Sequence, residues 1–238
     1  AIKEHQLGHL SDEELDEKLE YYSNIDNKDQ LRKYILQVPV YQQYNLTLSG
    51  STERMNNLVS LMYQHDRPEF QGNHSNELMF NYRGIASVFK WLDVNLSTMF
   101  QYEKSENGGA SSGNLGLLPY ELLVNEDGSM NDISRYNMPL IDRKVPKELF
   151  PYSDWGYYPL KEIENQSFTR THLNARIQAG LTFKLLEGLS VDSRIQYETF
   201  NGRNKNLYKE ESFYVRSRVN GAASWDQNTD KITLNLPK

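Results

Sequence analysis

The sequence predicts an all-β protein: an antiparallel up-and-down sheet supplying about six strands of a larger transmembrane β-barrel, with long extracellular loops and a short helical N-terminal loop. Three observations predict it. Long stretches alternate apolar and polar residues with period two. The polar half of that alternation is rich in charge and amide, and tight turns take turns with long connections along the chain, as in outer-membrane barrels.

At the N-terminus, Ser11-Asp12-Glu13-Glu14 forms a capping box that starts a helix through about Tyr21. A second helix is expected from Asp29 to Gln37, closed before Pro39. Both are charged on several faces, so residues 1–39 are expected to be an extracellular surface segment.

From Tyr41 the period becomes two. Tyr44, Leu46 and Leu48 alternate with Gln43, Asn45, Thr47 and Ser49, and a tight turn follows at Gly50-Ser51-Thr52-Glu53. The return strand sets Val59, Leu61 and Tyr63 against Ser60 and Gln64, with Leu58 and Met62 blurring the pattern. After a polar connection at 65–76, a third strand places Leu78, Phe80, Tyr82, Ala86 and Val88 opposite Met79, Asn81, Arg83 and Ser87. Phe89-Lys90-Trp91 links it to a fourth, with Leu92, Val94, Leu96, Phe100 and Tyr102 opposite Asp93, Asn95, Ser97 and Gln101. A long loop, 104–165, then separates these strands from the clearest pair. There Leu173, Ala175, Ile177, Ala179, Leu181 and Phe183 oppose His172, Asn174, Arg176, Gln178, Thr182 and Lys184. Beyond Glu187-Gly188, Leu189, Val191, Ile195 and Tyr197 oppose Ser190, Asp192, Arg194, Gln196 and Glu198. These runs exceed the ~5 to 6 residues of a soluble strand and reach the ~9 to 11 that cross a bilayer at a tilt.

The short turns near Gly50, Lys90 and Glu187 would be periplasmic, and the connections at 65–76, 104–165 and beyond 200 extracellular. Phe89 and Trp91 at one end, with Tyr63, Tyr102, Tyr197 and Phe200 at the other, fit two interfacial girdles. About six strands cannot close a channel, since the smallest such barrels use about eight. Residues 40–238 are therefore expected to be part of a larger barrel. A rival expectation is a soluble, secreted β-sheet module that binds carbohydrate, in which Val94, Leu96, Leu173, Ile177 and Leu181 would meet a second sheet.

Composition narrows the function classes. A mean hydropathy of -0.73 and the lack of any apolar run near ~18 residues exclude a transmembrane helix but not a barrel. A net charge of -6 argues against nucleic acid as a partner, because a phosphate backbone calls for a basic surface. With no Cys there is no disulfide framework or thiolate metal site. Ala1-Ile2-Lys3-Glu4-His5 does not read as a signal peptide, which leaves an exported chain already trimmed, or an internal piece of a longer one.

Several segments resemble the SusC/RagA family of TonB-linked outer-membrane transporters. Asn45-Leu46-Thr47-Leu48-Ser49-Gly50-Ser51-Thr52-Glu53-Arg54, followed by Val59-Ser60-Leu61-Met62-Tyr63, is similar to the family's N-L-S-x-S-G-G-x-E-K segment and Y-x-x-S-L-x-Y strand. Ser51 replaces the second glycine and Arg54 the lysine. Trp91-Leu92-Asp93-Val94-Asn95-Leu96, Leu185-Leu186-Glu187-Gly188-Leu189-Ser190-Val191 and the Asp127-Gly128-Ser129 turn also resemble family segments. The resemblance implies a stretch of a barrel of about 22 strands with a plugged lumen. It also implies import of oligosaccharides or peptides with a SusD-like surface lipoprotein as partner. Energy would come through a TonB complex engaging parts of the protein that have no counterpart in these residues. The location implied is the cell outer membrane of a Gram-negative, Bacteroidetes-like bacterium, with outer-membrane lipid around the barrel.

Candidate substrate-binding residues are Trp155, Tyr157 and Tyr158, at the end of the long loop that opens with Gly108-Gly109-Ala110-Ser111-Ser112-Gly113. Aromatic faces there could stack on sugar rings or pack on a peptide or lid protein; the competing expectation is that they fold the loop against its own barrel. Arg83, Asp93, Arg176, Asp192, Arg194 and Glu198 are expected to face the lumen, where balanced charge favours mutual pairing and disfavours a strongly ionic substrate. His5 and His9 have helical spacing but lack the H-E-x-x-H carboxylate. Asn125-Glu126-Asp127-Gly128 has Leu123 and Ser134 where a calcium loop needs its end ligands, so a turn is expected. Neither catalysis nor a cofactor is expected.

Overall fold

The computed structural model describes residues 1–109, 117–134 and 146–235. In chain order it contains helices α1 (Ile2–Gln6), α2 (Asp12–Ser23) and α3 (Lys28–Tyr34), then strands β1 (Val40–Ser51), β2 (Met55–Arg67), β3 (His74–Phe89) and β4 (Leu92–Gly108). Helix α4 (Pro159–Asn165), strands β5 (Gln166–Leu186) and β6 (Leu189–Tyr208), helix α5 (Phe213–Gly221) and the hairpin β7 (Ala223–Asp226) and β8 (Lys231–Leu234) follow. The chain divides into two compact units, one of residues 38–107 and 168–206, the other of residues 1–37, 108–167 and 207–238.

The first unit is the predicted sheet, with strand order β1-β2-β3-β4-β5-β6. Tight turns join β1 to β2, β3 to β4 and β5 to β6; in the last, Gly188 takes φ 81°, a left-handed value that glycine adopts without a Cβ clash. All longer connections leave from the opposite strand ends.

Register places the apolar sets in continuous rows. Tyr44, Tyr63, Leu78 and Tyr102 share one row, and Leu46, Leu61, Phe80 and Phe100 the next. Tyr44 and Tyr63 stack with ring centroids 6.4 Å apart. At the turn end, Trp91 stacks between Phe89 at 5.3 Å and Phe183 at 6.2 Å. This apolar face is open: Leu46 is 56 % exposed, Ile177 53 % and Ile195 74 %. Among the described residues, the buried hydrophobic side chains are Ile35, Leu123, Ile133 and Phe150, and all four belong to the other unit. The six strands thus carry a large apolar surface without a core of their own.

Strands run further than alternation indicates. β2 reaches Arg67 and β3 begins at His74, so the expected 65–76 connection shrinks to residues 68–73. β6 continues to Tyr208, through a stretch read from sequence as loop. From Asn201 to Asn206 both faces are polar, which erases the period-two signal while the backbone ladder persists. Phe200 also lies elsewhere than in a girdle: its ring sits 5.4 Å from His172, on the polar face.

In the second unit the capping box at Ser11 is present, with Ser11 Oγ accepting from the Glu14 amide and the Glu14 carboxylate accepting from the Ser11 amide. α3 is shorter than expected, and α1, α4 and α5 lacked sequence signals strong enough to be placed. α4 begins on Pro159 at its first turn, where a missing N–H costs nothing, and Ser212 caps α5 through the Val215 amide at 3.2 Å.

Side chains from the N-terminal segment bind backbone of the long connection. Gln30 Oε1 accepts from the Leu123 and Val124 amides at 2.6 and 3.0 Å, and its Nε2 donates to the Val124 carbonyl at 2.8 Å. Asn27 Nδ2 donates to the carbonyls of Leu118 and Glu121 at 2.8 and 3.0 Å. Around these bonds Ile35, Leu123 and Ile133 are fully buried.

Glu121 stands in the same place. One carboxylate oxygen accepts from the Leu118 amide at 2.8 Å, while the other is buried with no hydrogen-bond partner among the described residues. Burial pushes its pKa up. A raised folded-state pKa means that the folded form holds the proton more tightly. The associated stability is therefore complete at acid pH and declines as pH rises through the raised value. Glu121→Gln, which mimics the protonated carboxyl, is expected to melt higher than wild type at pH 7.5 and alike at pH 4; thermal unfolding of this unit at both pH values checks it.

Candidate functional site

The polar face of the sheet is the first candidate. Its rows run Gln43, Gln64, Glu77, Glu103; Asn45, Met62, Met79, Gln101; Thr47, Ser60, Asn81, Met99; and Ser49, Leu58, Arg83, Ser97. Arg83 and Asp93 lie here by register. Arg176, Asp192, Arg194 and Glu198 follow by alternation, and contacts fix two of them. Arg176 reaches Met99 Sδ at 4.0 Å, and Asp192 accepts from Thr182 Oγ1 at 2.5 Å.

Partners differ from simple mutual pairing. Asp93 pairs with Lys184 at 2.8 Å and accepts from Ser87 at 2.8 Å. Glu198 takes a bond from Gln196 at 3.2 Å. Glu77 and Glu103 stand directly opposite each other, a repulsive arrangement relieved at Glu77 by Gln101 donating at 2.7 Å; His172 Nδ1 lies 3.7 Å from Glu103. Glu77, Glu103 and Lys184 were recoverable from parity alone. The thioether patch was less legible: Met62 and Met79 face each other across β2 and β3, on the face that also carries Leu58 and Met99.

The Asn95 side-chain amide of β4 lies over Gly180 of β5, where a Cβ would come within 2.4 Å of its oxygen. Hydroxyls, amides, thioethers and near-balanced charge make a surface that can hold a polar solute in many weak ways and release it. Among the described residues no cluster of three or more metal-ligating side chains is present. His5 bonds to Asp12 at 2.7 Å.

The loop aromatics are the second candidate, and they are packed. Trp155 meets Phe150 edge-on at 5.0 Å, Tyr157 meets Phe213 at 5.1 Å, and Lys161 Nζ lies 4.3 Å over the Tyr158 ring. Burial and the nearby Glu162 carboxylate push the Tyr157 hydroxyl up to about 12. Arg216, itself buried, ties the segment down by donating to the carbonyls of Asp154, Gly156 and Glu211 at 2.6, 2.9 and 3.0 Å. A cavity of about 90 Å³ remains between Trp155, Phe213, Arg216 and Asn220. Residues 110–113 of the glycine-rich opening lie outside the described residues.

The Asn125–Ser129 segment is a tight turn: Asp127 accepts from the Ser129 amide and hydroxyl at 2.9 and 2.6 Å, which hold its carboxyl below the usual range. Gly128 takes φ 84° there.

Solved structures share this architecture. The chain is similar in fold to a chain of the RagAB peptide transporter. The match to that structure has a TM-score of 0.54 at 15 % identity, covering 77 % of this chain and 20 % of that one. A second, the RagAB peptide importer in its closed-closed state, matches with a TM-score of 0.57 at 13 % identity over 80 % of this chain and 21 % of that one. The chain thus spans about a fifth of the length of the chains it matches. No family model and no curated protein matches.

Proposed function

We propose that this chain builds part of the wall of an outer-membrane transport barrel, with the apolar face against lipid and the polar face lining the path of solute. The observation that carries the reading is the exposed, coreless apolar face set back to back with a polar one. On β5 the apolar set extends from Leu173 to Phe183, the ~9 to 11 residues that span hydrocarbon at a tilt, although the strand itself has 21. The remainder would stand clear of the membrane. Among the described residues β1 and β6 each leave one side unpaired, and open edges in hydrocarbon are costly, so further strands would close the wall. A soluble carbohydrate module would have to cover Ile177 and Leu181, which are 53 % and 38 % exposed.

The solute is a peptide or an oligosaccharide, taken up with a SusD-like surface lipoprotein and driven through TonB; the likeness to RagAB transporter chains and the resemblance in β1 and β2 support this. The role is transport and not catalysis. With the long connections extracellular, an epitope inserted near Asp127 is expected to be reached by antibody on intact cells and one at Ser51 only after permeabilisation. The reverse labelling would overturn the orientation.

A further inference from the structure

We propose that the apolar face ends, on the long-connection side, in a docking band for phosphate-bearing lipid headgroups. The inference rests on the membrane-wall reading and adds a ligand to it. Beyond the level of Tyr44, Tyr63 and Tyr102 the same face continues for two more rows, and its chemistry changes abruptly. Gln42, His65, Asn76 and Lys104 form the first row; one step further out Val40 pairs with Arg67 and His74 with Glu106. On β6, Arg203 and Lys205 join them. A Cβ at Gly202 would lie 3.4 Å from the His172 ring, which puts residue 202 on the polar face and its neighbours on the other.

Permanent cations on four positions, Arg67, Lys104, Arg203 and Lys205, thus meet one carboxylate, Glu106. That carboxylate bridges Lys104 and His74. Arg67, Arg203 and Lys205 are exposed, and the Lys104 side chain is 45 % exposed. At the same level the opposite face bears Asp66, Glu77 and Glu103 with Arg170 and His172, so charge is sorted by face. The turn end shows no such bias, with Arg54 and Lys90 matched by Glu53 and Glu187.

A strand extension that merely needed solubility would not sort its charges this way. An anionic headgroup would: cations just beyond an apolar band meet the phosphates of the lipids whose chains lie against that band. Amide, imidazole and guanidinium donors supply the hydrogen bonds that a phosphate ester accepts, charge-assisted from Arg and Lys. Tyr63 reaches into the band by donating to Asn76 at 2.9 Å, and His65 touches the same oxygen at 2.9 Å.

The test uses the intact protein in detergent, titrated with phosphatidylglycerol or phosphatidylcholine and read by native mass spectrometry. Wild type should retain the anionic lipid at least fivefold over the zwitterionic one. The combined Arg67→Gln, Lys104→Gln, Arg203→Gln, Lys205→Gln variant should lose the preference, and Arg170→Gln should keep it. If the combined variant does not fold, single Arg203→Gln and Lys205→Gln variants should each lower the preference about twofold. Excess inorganic phosphate should compete poorly, because a free ion lacks the acyl chains. An inserted protein with no lipid preference, or one unchanged by these substitutions, overturns this inference alone. A protein that folds in buffer without a micelle overturns the membrane reading and this inference with it.

Discussion

Arginine in place of Ile177 is expected to destabilise the intact protein by about 2 to 4 kcal/mol, the cost of a cation on the lipid face near mid-bilayer. Ile177 sits in the middle of the β5 apolar set and is 53 % exposed, so no packed neighbour would explain such a loss. Its neighbour Gln178 belongs to the polar set. Gln178→Arg is expected to change stability by no more than about 0.5 kcal/mol, as a solvated surface change does. Urea-dependent unfolding from lipid bilayers measures both. Equal costs at the two positions would mean that the faces are not differently solvated.

The second large effect lies in the other unit. Arg216→Ala removes the donors to three carbonyls, two of them flanking Trp155, and is expected to cost this unit about 3 kcal/mol. Lysine is a poor substitute, because a single ammonium cannot point toward Asp154, Gly156 and Glu211 as a planar guanidinium does. Limited proteolysis on intact cells gives the readout: in both variants, cleavage near residues 152–158 should appear at protease levels that leave wild type whole. Unchanged resistance would show that the Trp155 cluster is held by other means.

Much of the sheet was legible because a buried or lipid-facing row imposes period two on sequence. Leu46, Leu61, Phe80 and Phe100 fall in one row as their alternation requires, and the tight turns lie where glycine and charge mark them. Legibility failed where both faces share one polarity. Asn201 to Asn206 look like loop because their ladder bonds are backbone, and Met62 with Met79 look like errors because thioethers tolerate a polar setting. Lys184 as the partner of Asp93 depends on the β4 and β5 pairing, which no local pattern encodes. The same holds for Trp155, Tyr157 and Tyr158: sequence marks them as aromatics on a loop, but their packing partners Phe150 and Phe213 come from another turn and another helix. Binding at these rings would therefore use the small cavity beside Trp155 more readily than an exposed ring face.

The charge sorting near the long connections was open to a parity count, yet it becomes meaningful only once the rows are aligned across strands. Arg67 and Lys104 are far apart in sequence and meet on one face through the β2, β3 and β4 register.

The most direct measurement of the membrane-wall reading is fractionation of cells that carry the intact protein. It should stay with the membrane pellet through high salt and alkaline carbonate, and enter solution folded only when detergent is added. Recovery of folded protein in plain buffer would contradict it, since the apolar face from Leu46 to Ile195 would then have to be covered by protein and not by lipid.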